Sequence, residues 1–262
     1  MNISFIGYGN MAKAIARSLQ NQGKYSLSAA APSLTAGINK ENIRTHHDNK
    51  EIVKNADIII LAVKPSQMSP VLKEINPFIP INCLLISVAA GLTLTWFAKQ
   101  CNKGQAVIRT MPNTPATVGM AATPMIANEF TNQKQKKWAE QLFSSIGITS
   151  WVENEEDMDT FTALSGSGPA YVFLFIETMI NAAVELGLNE RVAKIFAMQT
   201  FLGALHLAQH SKLDLAELRT KVTSPGGTTA AALQILHKQL DDLIYSAMKA
   251  AKERAHELGN IN

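Results

Sequence analysis

The chain of 262 residues predicts two domains of different kinds. Residues 1–153 read as an α/β, doubly wound parallel sheet, and residues 154–262 as an all-α domain. Three observations carry this. The first half alternates short apolar runs with helical patterns. A glycine turn joins the first run to the first helix. After about Glu153 strand signals stop and alanine-rich helical patterns take over.

Residues 3–6 form an apolar run that ends at Gly7, and a helical pattern follows over Asn10–Gln20, with Met11, Ile15 and Leu19 on one face. The next runs are 26–31, stopped by Pro32; 57–63, stopped by Lys64-Pro65; 83–90, stopped by Gly91; and Ala106–Thr110, stopped by Met111-Pro112. All are short, aliphatic and non-alternating, as strands buried on both faces of a parallel sheet must be. Helical patterns at 66–75 and 93–100 lie between them. Residues 119–127 and 148–152 read as further strands around a helix at 133–143. The second half reads as helices over 169–186, Glu190–His210, 213–221 and 229–258. Residues 173–180 are apolar around most of their helix, which therefore needs cover on all sides. A second copy of the chain is the expected cover, giving a dimer with a helical core; the first domain is the alternative.

Composition narrows the function. Net charge is +3 with basic residues scattered, too weak a footprint for nucleic acid. Cys83 and Cys101 are too few for a disulfide framework or a four-thiolate metal site. No stretch of about 18 or more apolar residues is evident, and no secretory signal opens the chain. A cytoplasmic protein away from the membrane is the expectation. His46-His47-Asp48 are adjacent, and His206 and His210 lack a third ligand, so no metal is expected.

Gly7-Tyr8-Gly9-Asn10-Met11-Ala12 follows a strand and opens a helix in the pattern G-x-G-x-x-A. In that context it is the dinucleotide fingerprint of a Rossmann-type sheet. Gly7 makes the tight turn, and Gly9 lets the backbone approach a pyrophosphate held at the helix N-terminus. The second strand ends Ala29-Ala30-Ala31-Pro32-Ser33 with no acid through Gly37. Nothing there repels a 2′-phosphate and Ser33 can donate to it, so NADPH is the preferred cofactor and NADH the alternative. Val63-Lys64-Pro65, Ser87 to Gly91, and Thr110 to Pro115 all lie at carboxyl ends of strands, where open α/β sheets bind ligands. Met111, Pro112 and Asn113 are accordingly candidates to frame the substrate. Ser167 reads as a helix N-cap rather than a nucleophile, since no strand precedes Gly166-Ser167-Gly168. The acid-free loop Thr223-Ser224-Pro225-Gly226-Gly227-Thr228-Thr229 opens a helix and offers N–H and O–H donors to a small carboxylate.

Taken in order, FIGYGNMA, AVKP, SVAAG, IRTMPNTPA, ALSGSGPAYVF and TSPGGTT resemble the pyrroline-5-carboxylate reductase family along nearly the whole chain. The resemblance implies NAD(P)H-dependent reduction of the C=N bond of 1-pyrroline-5-carboxylate to L-proline. It implies a dimer through interlocked helical domains, with decamers in many members. Carried over, Ile6, Gly7, Tyr8, Gly9, Asn10 and Met11 hold the pyrophosphate, while Ser33 and Asn49 reach the 2′-phosphate region. Ala62, Val63, Lys64 and Pro65 line the ribose and nicotinamide with Val88, Ala89 and Ala90. Ser224, Gly226, Gly227 and Thr228 hold the substrate carboxylate. Thr229 lies near the ring nitrogen and is the expected catalytic residue. One departure is visible: where the family often carries an acid before the SPGG loop, this chain has Lys212, with Asp214 two residues on. Two rival readings are weaker. A 3-hydroxyacid dehydrogenase needs a lysine base on the helix after Gly-Ser-Gly, and residues 171–188 contain none. A dinucleotide-sensing protein without turnover has no use for the MPNTP and TSPGGTT loops.

Overall fold

A computed structural model of the chain describes residues 1–260, so the last two positions of the expected helical domain lie outside the described residues. The elements run β1 (Asn2–Ile6), α1 (Asn10–Gln20), β2 (Ser26–Ala30), β3 (Gly37–Ile38), β4 (Arg44–His46), α2 (Lys50–Val53), β5 (Ile58–Leu61), α3 (Pro65–Ile75), β6 (Leu84–Ser87), α4 (Leu94–Gln100) and β7 (Ala106–Thr110). Then come β8 (Ala121–Ala127), α5 (Gln133–Ser144), β9 (Gly147–Trp151), α6 (Asp157–Phe161), α7 (Gly168–Glu185), α8 (Glu190–His210), α9 (Leu215–Lys221), α10 (Thr228–Leu236) and α11 (Leu240–Asn260).

The sheet order is β3-β4-β2-β1-β5-β6-β7-β8-β9. From β2 through β7 the neighbours are parallel, while β8 returns antiparallel to β7. The aliphatic strands have the burial that their lack of alternation demands: every residue of β5, β6 and β7 is buried. One face packs Ile3, Phe5, Ile58, Ile60, Leu84 and Ile86 against Ala12, Ile15 and Leu19 of α1. The other packs Ile6, Ile59, Leu61 and Leu85 against Met68, Leu72 and Phe97.

The chain divides into two compact units, Met1–Ser167 with Ala250–Asn262, and Gly168–Lys249. This boundary falls later than the expected 153/154, and the end of α11 belongs to the first unit. The reason is a buried guanidinium. Arg109 of β7 is 3% exposed. It pairs with Glu155 Oε1 at 3.0 Å and Asp159 Oδ1 at 3.5 Å, so the stretch around α6 stays with the sheet.

Several local expectations are corrected. The strand pair β3–β4 has no counterpart in the sequence pattern, because two- and three-residue strands leave no periodic trace. The last helical pattern is two helices, α10 and α11, separated by a turn at 237–239. Ser167 is not an N-cap: its backbone is helical, and its N–H donates to Thr162 O at 2.8 Å as part of a π-type turn over Thr162–Gly166. Proline explains that turn, since Pro169 has no N–H to give Ser165 O, its partner four residues back. In the second unit α7 has no buried residue, and Phe173 and Leu174 are 66% and 62% exposed. Among the described residues nothing covers that face. By length and composition the helical run Asp157–Glu185 is also apolar enough to cross a membrane, against the expectation that no such stretch exists.

Candidate active site

The sheet register builds the site. Ala30 pairs with Ile6, Ile6 with Leu61, Leu61 with Ser87, and Ser87 with Arg109. The residues that follow each, namely Ala31, Gly7, Ala62, Val88 and Thr110, therefore line up across the carboxyl edge. The chain goes from β1 to β2 on one side and returns to β5 on the other, so β1/β5 is the topological switch point where ligands bind in such sheets. Gly7 and Ala62 stand there. The backbone steps across this edge are bonded: Gly7 N–H to Ala30 O (2.8 Å), Ala62 N–H to Ile6 O (2.8 Å) and Val88 N–H to Leu61 O (3.2 Å).

The glycine loop fits a dinucleotide. Gly7 has φ +85°, and a Cβ on it would lie 2.7 Å from Ala62 O and 2.9 Å from Val63 Cγ1. Only glycine lets β1 turn beside the end of β5. A Cβ on Gly9 would meet nothing within 4 Å. Gly9 is itself the N-cap of α1, without a side-chain cap and without an acid in the first turn. The start of α1 thus presents uncapped N–H groups and its positive end to open space, the donor set an anionic pyrophosphate needs. Tyr8 turns inward: its hydroxyl donates to Glu41 Oε2 (2.9 Å), and Glu41 Oε1 accepts from Arg17 Nε (2.6 Å). Burial and then Glu41 push the Tyr8 phenol up to about 12, so it stays a donor. Chiefly its hydrogen bond with Arg17 holds the Glu41 carboxyl below the usual range.

Ser33 is exposed past the end of β2. Asn49 precedes α2, and its amide donates to Glu74 Oε2 at 3.0 Å. Lys64 is the extended N-cap of α3 and Pro65 its first residue, the position where a missing N–H costs nothing. Ala89 is buried, its N–H on Ser87 Oγ at 3.2 Å.

Met111 and Asn113 extend from β7. Asn113 uses both ends of its amide on backbone: Nδ2 donates to Ser165 O (2.9 Å), and Oδ1 accepts from Ala122 N–H (2.9 Å). It thereby supplies the donor that Pro169 withholds. Its side chain is a strut for this loop. Met111 lies against the same π-type turn, its Cε 3.1 Å from where a Gly166 Cβ would stand.

On the second unit, Gly227 N–H donates to Ser224 O at 3.0 Å across Pro225-Gly226, with Gly226 at φ +69°, a turn of the type II pattern. Gly227 then N-caps α10 without a side-chain bond. Ser224, Gly226 and Thr228 are exposed, and Gly227 and Thr229 half-buried. The loop therefore offers free helix-start donors. Asp214 is committed to capping α9: its Oδ1 accepts Glu217 N–H at 2.8 Å. Glu155, in an acidic run that the sequence alone reads as a solvated helix start, is instead drawn onto the buried Arg109. Pro169, which reads as a harmless first-turn proline, withholds a donor that the turn before it needs. Arg109 itself has no role assigned by the sequence; a lone arginine in an apolar strand was the available signal for it. Among the described residues no group of three His, Cys, Asp or Glu side chains is placed to hold a metal ion.

Sheet, switch-point glycine loop and strand-end row define an NAD(P)H-dependent oxidoreductase. The family model "Pyrroline-5-carboxylate reductase dimerisation" matches residues 155–258, and "NADP oxidoreductase coenzyme F420-dependent" matches residues 2–91. A pyrroline-5-carboxylate reductase of Pseudomonas aeruginosa is 38% identical, with 98% of this chain and 96% of that protein covered. One from Pisum sativum is 35% identical over 98% and 95%. The solved Coxiella burnetii pyrroline-5-carboxylate reductase superposes with a TM-score of 0.90 at 38% identity, covering 98% of each chain. The Plasmodium falciparum pyrroline carboxylate reductase, solved with NADP bound, does so with a TM-score of 0.90 at 33% identity over 99% and 98%. The chain belongs to the pyrroline-5-carboxylate reductase family.

Proposed function

We propose that this chain reduces the C=N bond of 1-pyrroline-5-carboxylate to give L-proline, the last step of proline synthesis, with NADPH as preferred reductant and NADH as the alternative. The observation that carries this is the match to reductase relatives through both units, which takes in the strand-end row and the TSPGGTT loop together. When bound, the reduced dinucleotide supplies the hydride for the imine carbon.

The chain's own residues do the rest. Gly7, Gly9 and the start of α1 bind the pyrophosphate. Ser33 and Asn49 face the 2′-phosphate, favoured there by the acid-free end of β2. Ala62 to Pro65 and Val88 to Ala90 line the ribose and nicotinamide, with Met111, Pro112 and Asn113 framing the substrate. Ser224, Gly226, Gly227 and Thr228 hold the carboxylate at the start of α10. Thr229 Oγ1 orients the ring nitrogen, which needs one proton in all, taken up as the carbon takes the hydride or already carried by an iminium. A cyclic imine basic enough to arrive as iminium leaves little acid–base work, consistent with loops that contain no His or Cys. The test is substrate-dependent NADPH oxidation that yields proline, repeated with NADH. Thr229→Ala is expected to lower turnover by at most the ~10²–10⁴ of general acid catalysis. Unchanged turnover and KM remove that role.

The family model over residues 155–258 supports self-association through the helical unit. The exposed apolar face of α7 asks for such cover. A dimer is the minimal assembly and a decamer the larger one; sedimentation of the purified chain distinguishes them and would expose a membrane-bound form as detergent-dependent. Both cysteines are free thiols, which suits a reducing cytosol.

A further inference from the structure

We propose that the last turn of α11 braces the loop after β6, with Gly259 as the positioning residue; this rests on the reading of Val88 to Ala90 as the nicotinamide wall. The start of that loop is fixed from below. Val88 N–H is on Leu61 O, Ser87 Oγ accepts Ala89 N–H, and Ser87 O accepts Thr110 Oγ1–H at 2.9 Å. Its far end, Gly91, is fixed from elsewhere. Gly91 has φ +82°, and a Cβ on it would lie 3.0 Å from Gly259 N and 3.2 Å from Leu258 C. Conversely, a Cβ on Gly259 would run into the Gly91 carbonyl oxygen. Two backbones 168 positions apart in the sequence meet because each lacks a side chain.

The turn is held by more than this touch. Ala255, four residues earlier on the same helix face, is 4% exposed. His256 Nδ1 lies 3.4 Å from Asp159 Oδ2, and Asp159 Oδ1 in turn lies on Arg109 of β7, next to Thr110. The tail thus meets the loop itself at Gly91 and is linked through Asp159 to Arg109 of β7, the strand beside β6. The sheet beneath is complete without it, and a terminal helical turn lifts at little cost. A methyl at 259 therefore displaces the brace and leaves the fold standing.

The experiment compares the full chain with Gly259→Ala and His256→Ala, the latter weakening the hold without a steric wedge. Ligand-free amide hydrogen exchange at residues 88–92 is expected to speed up in both variants, more in Gly259→Ala. NADP⁺ affinity, carried mostly by the glycine loop and 2′-phosphate region, is expected to stay within about threefold. For Gly259→Ala, kcat is expected to fall about tenfold, since small misplacement at a hydride-transfer wall is costly. Unchanged exchange at 88–92 in both variants overturns the brace. So does a kcat within about twofold of wild type, or a loss of NADP⁺ affinity as large as the loss of kcat. If the wild-type chain shows no turnover, the proposed reaction fails instead, and the exchange measurement alone decides the brace.

Discussion

The two glycines of the first loop make opposite demands, and alanine at each separates them. At Gly7 the backbone sits at φ +85°, and a Cβ would press on Ala62 O at 2.7 Å, Ala62 C at 2.9 Å and Val63 Cγ1 at 2.9 Å. Two of those atoms are backbone of the segment leaving β5 and cannot rotate away. The left-handed conformation costs a non-glycine residue about 1–2 kcal/mol, and overpacking adds about 1–3 kcal/mol. We expect Gly7→Ala to lose about 3 kcal/mol, which for a chain of this size lowers Tm by roughly 6–12 °C. At Gly9 the backbone is extended, φ −80° and ψ −169°, and a Cβ meets nothing within 4 Å. Gly9→Ala should therefore melt within about 0.5 kcal/mol of wild type. Its methyl, however, fills the approach to the uncapped start of α1, and NADPH affinity should drop tenfold or more, about 1.4 kcal/mol. The assay pairs ligand-free melting with fluorescence titration of NADPH. A Gly9→Ala chain that binds NADPH as wild type does would remove the pyrophosphate from this loop. A Gly7→Ala chain that melts as wild type does would refute the steric argument.

Other perturbations follow the same logic. Asn113→Ala leaves Ser165 O and Ala122 N–H without their partners, which should cost ~2 kcal/mol or more, read as a lower urea midpoint at unchanged m. Asn113→Asp should fail to rescue, because a carboxylate cannot donate to Ser165 O. Arg109→Met strips two carboxylates of a guanidinium only 3% exposed. Breaking such a pair costs about 3 kcal/mol, and a double-mutant cycle with Glu155→Gln should return a coupling above ~1 kcal/mol; additivity would show the pair to be idle. Burial pushes the Cys83 and Cys101 thiols from 9.0 to about 12. Both stay protonated at pH 8, so the native chain should release thionitrobenzoate from Ellman's reagent only after denaturation. Above pH 9 the unfolded thiols ionise while the folded ones do not, so their contribution to stability is lost as pH rises from about 9 toward 12; fast labelling of the native chain at pH 8 contradicts this.

What the sequence made legible is what short-range chemistry writes. Runs such as Ile58–Leu61 and Ala106–Thr110 announce buried parallel strands because no polar residue alternates within them, and the structure places both in the sheet interior. The glycine loop is legible because a turn, a close approach and a helix start need particular residues in six consecutive positions. The pairing of Asn113 with Ser165 is not legible, since the partners lie 52 residues apart. The Gly91–Gly259 approach is hidden for the same reason. The tie from Arg109 to Glu155 and Asp159 is hidden likewise, its partners lying 46 and 50 positions away.

Pro169 shows how such hidden pairings arise. A proline in the first turn of a helix is ordinarily harmless, because the N–H it lacks would have had no partner. Here the helical run has already begun at Asp157, so the missing N–H would have had one, Ser165 O. The backbone answers in two ways. The turn before it widens, Ser167 N–H reaching back to Thr162 O, and Asn113 donates to the oxygen left over. That asparagine also anchors Ala122 of β8, so one side chain holds the loop after β7, the strand beside it and the widened turn in register. Within the 111–113 segment, Asn113 fixes where Met111 and Pro112 stand. A loop built this way tolerates no change that keeps asparagine's size while losing either its donor or its acceptor.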